Sequence, residues 1–278
     1  MATVLDDAVR SARPIMPKRP SRGSNFWFRS QGGLLSLLGI LIVLVAWQIC
    51  ADTNVVNPTF SSSPIDIAKA EYTIFQDGSI WSTLGKTGWE LLIGLLIIIV
   101  GGIPLGLIIG ANNTLYHLTR GMIDILYSVP FVLFLPIIIF WFGIDNESRI
   151  VLVIWSGILP LMMNTIAGVR SLDRDYSRVA KVFCTPRTIY FLRVAMPATV
   201  PYILSGVRLA IGRALVGAIV AEFFMGSGGL GFFVQQQAAQ FNTAESMAGI
   251  VILAVVAIVL NNIVGGLYQR YALWAEPQ

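Results

Sequence analysis

Charge is scarce in this 278-residue chain: Asp, Glu, Lys and Arg make up 12% of it, against 55% apolar residues. Soluble domains carry about twice that share of charge, so a water-solvated globule is excluded. A mean hydropathy of +0.73 places the chain in a bilayer. There is one histidine, His117, and there are two cysteines, Cys50 and Cys184. They offer no zinc-ligand spacing and no Cys–His pair, and no paired-carboxylate site accompanies them, so neither a metal site nor catalysis is expected on this chain. "LGKT" at 84–87 resembles the end of a phosphate-binding loop, but Ile80 stands where that motif needs Gly and no strand precedes it.

What the chain has in plenty is long apolar runs. They lie near 33–51, 90–111, 122–142, 149–169, 202–224 and 247–267, each close to the roughly 20 residues a helix needs to cross the hydrocarbon core. They are continuous in Leu, Ile, Val and Gly without the period-two alternation of a barrel strand. An all-α integral membrane protein with six transmembrane helices follows. The first run is too long for a signal-peptide core and lacks a small-residue cleavage site, so it is expected to be retained.

Lys and Arg fall unevenly around these runs. Residues 1–31 hold six, 170–197 hold six, and Arg120 and Arg270 lie on the same side; the opposite side holds Lys69, Lys86 and Arg149. Positive charge near helix ends prefers the cytoplasm, which sets both termini inside and puts Cys50 and Cys184 at opposite faces, out of reach of a disulfide. The excess of +4 then needs no nucleic acid to explain it. Two regions result: a basic N-terminal tail over 1–31, with Pro14, Pro17 and Pro20, and a transmembrane domain over 32–278.

The basic stretch 170–197 reads as a helical elbow. Val179, Val182 and Phe183 recur at helical spacing beside Arg178 and Lys181. Thr185 suits an N-cap with Pro186 at the first helical position, and Pro197 is expected to end the second helix. Within the membrane, Gly102, Gly106 and Gly110 repeat every four residues, which lets another helix approach closely. Pro104, Pro130 and Pro136 free backbone carbonyls and serve either to kink helices for packing or to gate. Arg208, Arg213 and Glu222 lie within the fifth run. Ionisable groups at such depth face a cavity or a partner, and Arg208 and Glu222 are too far apart along one helix to pair. Arg213 either lines a pore, where its fork suits an anion, or bonds helix carbonyls or a neighbouring acid. Glu90 and Asp124, near helix starts, are expected at solvated interfaces.

The elbow resembles the EAA loop of binding-protein-dependent ABC importer permeases. Arg178, Val179 and Ala180 stand at E-A-A, Cys184 at the motif's Gly, and Val194, Met196 and Pro197 at its I, L and P. Further segments resemble the nitrate, sulfonate, taurine and bicarbonate branch: "GGIPLGLIIG" at 101–110, Pro130 and Pro136 followed by Trp141, Phe142 and Gly143, "SGVRLAIGRALVGAIVAEFF", and "GGLGFFVQQQAAQFNT". The likeness spans about residues 33–270.

This resemblance implies a type I permease fold that moves a small anionic solute into the cytoplasm by alternating access. It implies that Arg178, Val179, Ala180, Phe183, Cys184, Pro186 and Pro197 dock a cytoplasmic ATPase subunit, which binds ATP and Mg. It also implies that Gly228, Gly229 and Gly231 help form an outer gate facing a periplasmic or lipid-anchored substrate-binding protein. The second permease is another copy or a paralogue, and the location is a bacterial inner membrane. Permease resemblance leaves Arg208, Arg213 and Glu222 as pathway candidates. An ion-coupled secondary transporter, the alternative, calls for inverted repeats and paired acids near the midplane; no convincing repeat is found.

Overall fold

A backbone in hydrocarbon must satisfy its own polar groups, and the chain does so with helices, no strand occurring among the described residues. The computed structural model describes residues 24–53, 57, 61–172, 174–226 and 228–272. The chain divides into two units, Met1–Val55 and Val56–Gln278. Among the described residues the first holds one helix, α1 (Ser24–Asp52). Leu35, Ile40, Leu41 and Val45 are all exposed on it, as befits a helix apolar on every face. Residues 1–23 of the basic tail lie outside the described residues, and Ser24–Gln31 already belong to α1.

The second unit begins with a short helix, α2 (Pro64–Gln76), capped by the Ser63 hydroxyl, which accepts from the Asp66 N–H. The spanning helices α3 (Ser79–Ala111), α6 (Asn146–Arg170), α9 (Met196–Met225) and α11 (Thr243–Ala272) follow, with shorter segments between them. Among the described residues five helices are long and apolar enough to cross a membrane, and a bent pair makes a sixth if counted as one span.

α6 is the centre of the unit, packed against both α3 and α9. The glycine repeat explains how α3 comes so close. A Cβ at Gly102 would lie 3.2 Å from a Leu161 methyl, at Gly106 2.6 Å from Thr165 Cβ, and at Gly110 2.8 Å from Val169 Cβ. Gly94 against Val153, and Ile98 against Gly157, extend the same ladder. Partner numbers rise together by four, so α3 and α6 run parallel with small residues at the seam. The opposite face of α3 presents Leu92, Leu96, Val100 and Ile108 outward. α9 runs antiparallel to α6: Gly217 meets Ser156, while Gly206 meets Leu161 and Asn164.

The third apolar run is not the single helix expected over 122–142. α4 (Asn113–Ser128) ends at Val129, a 3₁₀ turn covers Phe131–Phe134, and α5 (Leu135–Phe142) follows, with a bend of 94° at the break. Pro130 has no N–H to continue α4, and its ring pushes Val129 to φ −76°, ψ 126°. Pro136 sits in the first turn of α5, where proline is tolerated. Pro104, by contrast, lies inside α3 without ending it.

The elbow consists of α7 (Arg174–Val182) and α8 (Arg187–Tyr190). Helix α8 starts one residue later than expected, and the Tyr190 N–H bonds the Pro186 carbonyl at 3.0 Å. Pro197 does not end the second helix. A π turn over Phe191–Ala195 joins α8 to α9, and helix continues through Pro197 to Met225. The wider turn shifts the carbonyl ladder where the proline ring would otherwise strike it.

Candidate functional site

Two ends of the second unit carry distinct chemistry: the elbow end, where α7 and α8 lie, and the loop end, where α9 gives way to the Gly-rich segment. Between them the broken span opens a pocket of about 310 Å³. Ser128, Val129, Pro130, Trp155, Ser156 and Arg213 are among its lining residues. The break supplies one wall, through Ser128, Val129, Pro130, Phe131 and Val132. Phe134 stacks edge-on against Trp155 at 4.9 Å between centroids, holding the 3₁₀ turn onto α6. Arg213 is solvent-accessible on α9, about 18 Å of helix rise before its end at Met225. The pocket at the break, lined by polar as well as apolar groups, thus receives a single guanidinium. Arg208, also accessible, is not among the pocket-lining residues, because five residues of helix turn it to another face.

Glu222 is not at the pocket either. It is wholly buried at the loop end and engaged by protein. Thr87 Oγ on α3 donates to Glu222 Oε1 at 2.6 Å, and the Gly231 N–H donates to Oε2 at 2.6 Å. Gly231 belongs to α10 (Leu230–Ala239). The glycines expected at a gate are shaped by this cluster. A Cβ at Gly229 would overlap the Glu222 carboxylate, and one at Gly228 would come 2.7 Å from Lys86 Nζ; both glycines also hold positive φ, 96° and 112°.

A buried charge pair stands nearby and corrects the expectation of a solvated Glu90. Glu90 on α3 and Arg149 on α6 are 1% and 5% exposed, with Arg149 Nη1 3.1 Å from Glu90 Oε1. Asn146 accepts a hydrogen bond from the other Arg149 nitrogen. Glu90 lies eleven residues after the start of α3 on the face that packs toward Arg149, which shields it from water although its neighbour Trp89 is exposed. Asp124, the other acid expected at an interface, is exposed and meets Arg120 at 3.6 Å. Thr87, Glu90 and Arg149 were not singled out as site residues from the sequence. The available signal was Thr87 and Glu90 three residues apart on one helix face, opposite an Arg at the same membrane end.

At the elbow end, Cys184 takes φ +48°. The Thr185 N–H reaches the Ala180 carbonyl at 2.9 Å and the Cys184 N–H reaches Lys181 at 3.0 Å. These two bonds form a Schellman stop for α7, with Cys184 in the left-handed position that Gly favours. The turn thus keeps the geometry of the motif's Gly with a cysteine in its place. Val179, Val182 and Phe183 are exposed, the last by 77%, and Arg178 is tied to Asp175 at 2.9 Å on the same surface. Behind the elbow a cleft of about 1220 Å³ is bounded by Asn112, Val169, Ala180, Lys181, Cys184 and Phe191, among others.

A multi-pass helical bundle with a broken span, a short elbow at one end and a Gly-rich segment at the other defines a membrane transport protein. The chain belongs to the family of the binding-protein-dependent transport system inner membrane component, whose sequence model matches residues 102–273. It is 28% identical to the taurine transport system permease protein TauC of Escherichia coli K12, over 89% of this chain and 92% of that protein. It is 31% identical to the putative aliphatic sulfonates transport permease protein SsuC of the same strain, over 81% and 82%. It is also 30% identical to the formylaminopyrimidine transport permease protein ThiX of Halalkalibacterium halodurans, over 83% and 91%. A solved inward-facing structure of the MetNI methionine ABC transporter shares the fold, with a TM-score of 0.58 at 16% identity over 69% of this chain and 94% of that one. This chain is accordingly a non-catalytic permease subunit of an ABC importer.

Proposed function

We propose that this permease admits a small anionic solute, of the nitrate, sulfonate, taurine, bicarbonate or carboxylate type, and that Arg213 is the group that receives it. The observation that carries this reading is the pocket itself: a guanidinium at membrane depth, accessible, facing the broken span. A guanidinium costs about 2.5–3.5 kcal/mol at a helix centre, and an anionic cargo offsets that cost while gaining forked hydrogen bonds. Taurine and aliphatic sulfonates name two of the relatives above, which supports an anion. Formylaminopyrimidine names the third, so Arg213, rather than kinship, selects the reading.

The family and the charge distribution support the rest of the reading. The elbow, with Val179, Val182, Phe183 and the Cys184 turn, docks a cytoplasmic ATPase subunit that binds ATP and its Mg²⁺. The Gly228–Gly231 segment faces a substrate-binding protein outside, both termini lie in the cytoplasm of a bacterium, and a second permease, a copy or a paralogue, completes the pathway. Proteoliposomes holding this chain with its ATPase and binding protein test the reading, with taurine, an alkanesulfonate, nitrate and bicarbonate as probes. ATP-driven uptake of one of these, reduced by roughly tenfold or more in Arg213→Lys because Lys lacks the fork, is expected. Parent-level uptake by Arg213→Lys would overturn anion recognition at this residue.

A further inference from the structure

The Thr87–Glu222 contact belongs to a closed polar clamp. Besides donating to Glu222, Thr87 Oγ accepts from the Leu230 N–H at 2.8 Å, while the Gly231 N–H donates to the other Glu222 oxygen. One carboxylate thereby joins α9, which carries it, to α3 through Thr87 and to α10 through the Gly231 amide, while the Leu230 amide is held by Thr87. Those amides have no partner within a helix, and the positive end of the helix dipole favours a carboxylate beside them. Both side chains are buried, at 0% and 1% exposed, so losing either leaves desolvated groups without partners. A Cβ at Gly231 would lie 3.0 Å from Glu222 Oε2 and 2.8 Å from the Ile219 carbonyl, and Gly229 has no room for one. On its far side α10 is held by the Ser246 hydroxyl, which donates to the Val234 carbonyl at 3.1 Å.

We propose that Glu222 is the positioning residue that seats α10. The carboxylate, relayed by Thr87, makes this ten-residue helix a rigid part of the α3–α9 body. The Gly-rich segment therefore moves with the bundle during the transport cycle and is not an independent lid. Its glycines serve close approach to Glu222 and Lys86 rather than hinge motion.

Labelling of Val234→Cys with a water-soluble maleimide tests this in nanodiscs, which expose both membrane faces, with peptide mass spectrometry separating it from Cys50 and Cys184. Val234 is 6% exposed and reacts only when α10 lifts. Gln236→Cys, on the exposed side of α10, is the reference that labels in either state. Glu222→Ala and Thr87→Val are each expected to speed labelling at 234 by roughly tenfold, since the rate follows the open population, and to leave the rate at 236 unchanged. Thr87→Ser restores the hydroxyl and the slow rate; Glu222→Gln, which keeps an acceptor for Gly231 but loses the charge, falls between. Should Glu222→Ala fail to fold, Thr87→Val against Thr87→Ser decides alone. Labelling at 234 within about twofold of parent in a monodisperse Thr87→Val chain would overturn the proposal, whatever the substrate at Arg213.

Discussion

Glu90 and Arg149 form a charge pair 3.1 Å apart between α3 and α6, both nearly excluded from solvent. The desolvation cost of such a pair is comparable with its attraction, so its presence adds little net stability, while removing one partner strands the other. Arg149→Met or Glu90→Leu alone is expected to destabilise the chain by about 3–5 kcal/mol. The double variant should recover most of that loss. Thermal loss of monodisperse elution in detergent measures it; additive losses would show that the two residues are not energetically coupled.

The parallel α3–α6 seam makes a positional prediction. A methyl at Gly106 would sit 2.6 Å from Thr165 Cβ and 3.0 Å from the Met162 carbonyl, whereas one at Gly101 finds only an Ile158 methyl at 3.8 Å. Gly106→Ala should therefore cost about 1–3 kcal/mol by overpacking, and Gly101→Ala close to nothing. Equal melting temperatures for the two variants would mean that the helices separate without penalty.

Much of this seam was legible beforehand, because Gly102, Gly106 and Gly110 repeat with the period of one helix face and three-dimensional contact only had to supply the partner. The apolar runs were equally readable, since bilayer thickness sets their length. The break at Pro130 was not, because a proline in a spanning helix is compatible with a kink or a full stop, and the choice depends on the space that Trp155 and Phe134 fill. Glu90 was misplaced for a related reason. Its position near the edge of an apolar run suggested water, while the Arg149 that keeps it dry lies far along the chain. Pro197 looked like a helix end because the π turn that accommodates it has no sequence signature. Arg213 was singled out by depth alone, and its pocket required the fold of the broken span.

Cys184 offers a test in the opposite direction, toward greater stability. Its φ of +48° lies in the left-handed region, which costs a non-glycine residue about 1–2 kcal/mol, partly offset by the entropy a glycine would lose. Cys184→Gly is expected to stabilise the elbow by about 0.5–1 kcal/mol, and Cys184→Val, β-branched at the same φ, to destabilise it by more than that. Hydrogen-exchange protection of the Thr185 amide, which closes the turn onto Ala180, reports the local effect. Slower exchange in the Gly variant is the expected sign; faster exchange would show that the turn does not depend on a left-handed residue.

The exposed apolar edge of α7 carries the last prediction. Val182 at the end of α7 and Phe183 just beyond it are 79% and 77% exposed beside Arg178 and Lys181, and a few large side chains of this kind dominate the affinity of a typical interface. If the elbow docks the ATPase, Phe183→Ala should cost about 2 kcal/mol or more of binding, a loss near thirtyfold in affinity. The chain itself should stay folded, because a side chain this exposed adds little to internal packing. Pull-down of the ATPase with tagged permease measures the first effect and detergent melting the second. A variant that keeps its ATPase would move the docking surface away from Phe183. One that loses both ATPase and melting temperature would make the residue part of the elbow's own structure. Only the split outcome, ATPase lost and fold retained, matches a helix whose apolar edge is reserved for another chain.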